Sequence, residues 1–123
     1  MKRLLKAFLY VFLLTFLGIS LVSVFWEKPD LLTLILVILS LVIVFISTKY
    51  MSKDSEDIIL FLLVGVTGAF AEVIAIYFGA WRYGKPQLIG IPYWLPLAWG
   101  LAAIIIKYVY LEVRSFTKDK LKK

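Results

Sequence analysis

Apolar residues fill four long stretches of the chain, and polar residues are confined to the gaps between them and to the ends. The stretches run from Leu4 to Trp26, Leu31 to Thr48, Ile58 to Ala80 and Ile91 through Lys107 to Leu111. Crossing about 30 Å of hydrocarbon takes roughly 20 apolar residues in a helix. A strand of that length would leave backbone groups unpaired in lipid. The pattern therefore predicts an all-α polytopic membrane protein: a single domain over 1–123, with transmembrane helices over 4–26, 31–48, 58–80 and 91–111 in an up-down bundle. Lys2, Arg3 and Lys6 precede the first run as they would in a signal peptide. A cleavable apolar region is only about 7 to 15 residues long, however, so the run reaching Phe25 and Trp26 is expected to remain as a helix.

The gaps carry helix punctuation. Pro29 suits a first helical turn and Asp30 complements the positive helix end, so the second helix is expected to start there, forming a tight hairpin with the first. Ser52 or Asp54 can cap the third helix, with Glu56 and Asp57 in its first turn. Gly84, Lys85, Pro86, Gly90 and Pro92 break the chain before the fourth.

Composition narrows the class. The 123 residues are 63% hydrophobic and 18% charged, with no Cys and no His. Typical globular usage is about 45–50% apolar and about 25% charged, so a water-soluble domain is excluded. Disulfides, thiol nucleophiles, zinc fingers and Ser-His-Asp triads are excluded as well. No metal and no cofactor is expected.

The net charge of +6 is distributed as topology information, not as a nucleic-acid face. With alternating helices, Lys2, Arg3, Lys6, Lys49, Lys53, Lys107, Arg114, Lys118, Lys120, Lys122 and Lys123 fall on one side and Lys28, Arg82 and Lys85 on the other, eleven against three. The positive-inside rule then puts both termini in the cytoplasm of a multi-pass cell-membrane protein. Trp26, Trp81, Tyr83, Tyr93 and Trp94 gather at the outer interface, where amphipathic rings prefer to sit. Membrane lipids, and a second copy of the chain, are the expected partners.

Glu72 is the residue most charged with meaning. It lies eight residues before Ala80, about 12 Å below the outer boundary of a straight helix, too deep to snorkel. A carboxylate there must face the bundle or a wet cavity, be paired, or be held protonated. Such a residue is either a structural staple between helices or a proton-handling or substrate-contacting group. Gly65, Gly68, Glu72, Ala75 and Gly79 recur at steps of three and four, so they share one face. A face this small suits a close packing seam, with a groove for a long thin molecule as the alternative.

The stretch FGAWRYGKPQLIGIPYWLPLAWG, from Phe78 to Gly100, is the second constellation. Arg82 stands among Trp81, Tyr83, Tyr93, Trp94 and Trp99, a set that reads as interface anchors or as substrate-binding groups. Pro92 and Pro96 are expected to kink the start of the fourth helix, freeing a carbonyl. Arg82 lies about 15 Å from Glu72 along a straight helix, out of reach unless the helix unwinds at Gly79. Hydroxyls such as Ser20, Thr33, Ser40 and Ser47 read as packing groups. Lys107 is expected to snorkel to the headgroups, and Asp54, Glu56 and Asp57 to be solvated or to touch lipid headgroups.

Glu72, Gly79, Trp81, Tyr83, Gly90, Pro92, Pro96 and Trp99 follow an order that resembles the membrane family of carotenoid-biosynthesis proteins that includes bisanhydrobacterioruberin hydratase. In that family a membrane Glu precedes a G-x-Y/W-x-Y turn, a G-x-P entry and a P-x-x-W helix. The resemblance covers the third and fourth helices. It implies addition of water to an isoprenoid carbon-carbon double bond, with Glu72 at the position of a proton donor.

Three readings follow: a lipid- or isoprenoid-handling protein, whether enzyme or not, working through Glu72; an oligomeric transporter or channel subunit with Glu72 as its proton or cation site; and a noncatalytic assembly protein. Each gives Glu72 a different neighbourhood. A groove from the lipid side suits the first, a water-filled vestibule or subunit cluster the second, and a closed seam the third.

Overall fold

The computed structural model describes residues 2–51 and 55–122. Ser52, Lys53 and Asp54 lie outside the described residues, and with them the expected caps at Ser52 and Asp54. The chain forms α1 (Lys2–Phe25), α2 (Pro29–Ile46), α3 (Glu56–Tyr77) and α4 (Leu95–Leu121), with a wider π turn, Ser47–Met51, continuing α2. All four helices are long and apolar enough to cross a membrane. Large apolar side chains stand exposed along them, among them Phe8 at 67%, Leu41 at 68% and Phe70 at 64%. A lipid surround accepts these groups without the penalty that water would impose.

The tightest packing is between α3 and α4. A Cβ on Gly65 would stand 2.8 Å from the Pro96 carbonyl oxygen, and one on Gly68 2.5 Å from the Trp99 ring. On the facing helix, a Cβ on Gly100 would stand 2.7 Å from the Phe61 ring. The backbones approach this closely only because these positions lack side chains. Phe61 meeting Gly100 while Gly65 meets Pro96 makes the pair antiparallel.

Leu32, Leu36 and Ser40, one turn apart on α2, bury against this pair. With Ala69, Ile91, Trp94, Leu95 and Leu101, Leu32 and Leu36 form a core at the end where α3 hands over to α4. α1 is more loosely held, with Ala7 its one buried residue among those described. Ser20, Thr33 and Ser40 return their hydroxyls to carbonyls of their own helix at 2.6 to 2.7 Å.

Helix boundaries differ from the apolar runs most where α3 hands over to α4 and at the end of α4. α3 stops at Tyr77, three residues short of Ala80, and α4 starts at Leu95 instead of Ile91 and continues to Leu121. Seventeen residues, 78–94, therefore lie between them as ordered loop.

Candidate functional site

The site begins with the end of α3. The Ala80 N–H donates to the Ala75 carbonyl and the Gly79 N–H to the Ile76 carbonyl, both at 2.9 Å, with Gly79 at φ +80°. This is a Schellman cap, in which the residue after the helix takes the left-handed conformation that glycine adopts at no steric cost. Gly79 thus leaves the packing seam expected of it: nothing lies within 4 Å of its Cβ position, because its role is to reverse the chain. Ala75 stays on α3, half-buried.

The reversal carries the loop back along α3 to Glu72. The Trp81 Nε1–H donates to Glu72 Oε2 at 3.0 Å and the Tyr83 hydroxyl to the same oxygen at 2.9 Å. Among the described residues, Oε1 has no hydrogen-bonding partner. Glu72 is half-buried, and with α3 ending at Tyr77 it lies about 8 Å from the helix end, nearer than a helix to Ala80 would place it. Its partners belong to the loop, not to a neighbouring helix. Burial first, then the bond to Glu72 and its charge, raise the Tyr83 phenol above the usual tyrosine range, so it remains a donor.

The other residues of the constellation are divided by the fold. Trp94 is buried, at 7% exposure, and stands edge-on to Tyr83 with centroids 6.1 Å apart. It supports the Tyr83 ring from within and is not an interface anchor. Trp81 and Tyr93 are about half exposed, at 47% and 50%, and Trp99 lies over Gly68. Arg82 is exposed and forms no ion pair among the described residues.

Neither proline kinks α4. Pro92 is fully buried ahead of the helix, and its carbonyl accepts the Leu95 N–H at 3.2 Å, so it is not left unpaired by a kink. Pro96 occupies the first turn of α4, where a missing N–H removes no helical bond.

A residue that sequence reasoning passed over locks the loop in place. Gln87 Nε2 donates to Asp30 Oδ1 at 2.7 Å, while its Oε1 accepts the Tyr93 N–H at 3.0 Å. Leu88 and Ile91 then pair across a tight turn whose central residues, Ile89 and Gly90, have φ of 49° and 83°. Two positive φ values are the mark of a type I′ turn, and a β-branched residue is strained there. Ile89 is 72% exposed and has little packing to lose. Ile89→Asn is accordingly expected to stabilise the protein by about 1 kcal/mol, read as a raised melting temperature in detergent; an unchanged or lowered value would contradict the strain.

At the opposite end of α3 a second polar cluster corrects the expectation for Asp57 and Lys107. Asp57 is 0% exposed. The Lys107 ammonium donates to its Oδ1 at 2.5 Å and the Tyr108 hydroxyl donates to its Oδ2. Lys107 also reaches Glu56 at 3.3 Å. A charged pair within an apolar bundle is more stable joined than separated, so Lys107 turns inward and does not snorkel. The signal was available: Lys107 interrupts the apolar run of α4 at the level where antiparallel α3 begins with two acids.

Among the described residues no three metal-ligating side chains converge. No protein-family model, curated protein or solved structure matches the chain.

Proposed function

We propose that the chain is a multi-pass protein of the cell membrane, with its helices running up and down and both termini cytoplasmic, and that it handles a lipid or isoprenoid substrate at Glu72. The observation that carries this reading is the asymmetry of the carboxyl group: Oε2 accepts both Trp81 and Tyr83, and Oε1 has no protein partner among the described residues. Two donors on Oε2 occupy its lone pairs, so a proton on this group resides on Oε1, the oxygen left for a ligand. In a hydratase-like reaction, Oε1 gives that proton to one alkene carbon and water adds to the other. The proton lost by the water then returns to Glu72, and the balance closes without a cofactor.

A second reading is favoured by a different observation. Both donors to Glu72 come from the loop, and Glu72 lines neither the cavity at α2 nor the one between α1, α2 and α4, an arrangement that also suits a latch in a noncatalytic assembly protein. The two are separated by mass spectrometry of lipids copurified with the native chain and with Glu72→Gln, whose carbonyl oxygen can still accept Trp81 and Tyr83. The proposal expects an isoprenoid enriched over bulk lipid, its alkene form accumulating in the variant. Bulk phospholipid of equal composition in both would favour the latch.

A further inference from the structure

A cavity of about 780 Å³ lies between α1, the end of α2 and α4, away from Glu72. That volume falls in the range of small-molecule sites, roughly 300–1,000 Å³. Its wall changes character along its length. Arg3, Lys6 and Glu112 stand at one end, Ser47 and Tyr108 along the middle, and Leu14, Ile43 and Ile104 at the other end. Lys6 and Leu14 are eight residues apart on α1, about 12 Å along its axis.

The order of charge, then hydrocarbon, matches the order of headgroup and acyl chain in a phospholipid. Charge points the same way. Arg3 lies 4.0 Å from Glu112 and 3.8 Å from Asp119, exposed pairs of a kind worth little, and Lys6 has no ion pair among the described residues. Along the middle of the wall the Tyr108 and Ser47 hydroxyls turn away, to Asp57 and to the Val44 carbonyl, and Lys107 neutralises Asp57. An anionic head therefore finds a spare cation, and a chain finds a wall with no buried charge open to it.

We propose that this cavity binds one anionic, phosphate-headed lipid, with its head at Arg3 and Lys6 and one chain running toward Leu14, Ile43 and Ile104. The inference rests on the lipid-handling reading for its class of ligand only. It places a lipid at the end of the bundle far from Glu72 and requires no turnover.

The test is native mass spectrometry of the full chain, delipidated in detergent and titrated with dioleoylphosphatidylglycerol or dioleoylphosphatidylcholine. The expected result is one phosphatidylglycerol retained per chain in preference to phosphatidylcholine. Lys6→Gln should weaken retention about fivefold, as loss of one cation near a headgroup does, while Lys118→Gln, outside the cavity wall, should not. Ile105→Trp fills the cavity from α4 and Val11→Phe fills it from α1; whichever variant keeps its helical circular dichroism should lose the lipid. Equal retention of the two lipids, undiminished binding in Lys6→Gln and a folded cavity-filled variant, or a dimer appearing in place of the lipid complex would each overturn the proposal. Retention is read without catalysis, so a failure of the Glu72 chemistry leaves this result standing.

Discussion

Asp57→Asn is expected to destabilise the protein by about 3–5 kcal/mol, the cost of leaving a buried charge without its partner. The variant strands the Lys107 ammonium, whose nearest remaining acid is Glu56 at 3.3 Å, at the protein surface. Lys107→Met is expected to cost a similar amount, because it strands the carboxylate of Asp57, which is 0% exposed. The double variant should cost clearly less than the sum, since neither ion is then left alone. Reversible unfolding in mixed micelles measures all three. Strict additivity would mean that the two charges do not stabilise one another.

Gly65 carries the second large effect. Any side chain there meets the Pro96 carbonyl oxygen at 2.8 Å, and a backbone atom can move only by separating α3 from α4. Gly65→Val should therefore cost about 1–3 kcal/mol or more from overpacking. Gly68→Ala should also destabilise, because its Cβ would stand 2.5 Å from the base of the Trp99 ring, but it adds less volume than valine. Gly18 on α1 is the control: nothing lies within 4 Å of its Cβ position, and alanine there gains up to about 1 kcal/mol of helix propensity. Melting temperatures in one detergent should rank Gly18→Ala highest and Gly65→Val lowest. A Gly65 variant as stable as the control would mean that the α3 and α4 backbones do not meet closely.

What could be read from the sequence follows from the range of each interaction. Four apolar runs dictate helices because lipid offers the backbone no alternative partner, and four helices are long and apolar enough to cross. Glu72 stood out by the same argument, as a charge where charge is expensive. Its partners did not stand out. Trp81 and Tyr83 reach it only because α3 stops at Tyr77 and the chain turns at Gly79, whereas the apolar pattern runs on to Ala80 without a break. Hydropathy cannot distinguish a glycine at a helix end from one in a packing seam; the backbone dihedral does. The same limit applies to Pro96, which the pattern placed inside a helix and the structure places in its first turn. Asp57 and Lys107 are 50 residues apart, and their pairing depends on the register between α3 and α4, which the tight contacts at Gly65, Gly68 and Gly100 set.

Trp81 and Tyr83 hold one carboxyl oxygen of Glu72, and the proposed function requires the other to face an apolar environment. Carbodiimide labelling in native membranes, read by peptide mass spectrometry, tests that requirement most directly. A membrane-soluble carbodiimide is expected to modify Glu72 and spare the enclosed Asp57, and a water-soluble, membrane-impermeant one to leave Glu72 unmodified. Modification of Glu72 by the water-soluble reagent, or its resistance to the membrane-soluble one, would contradict the account.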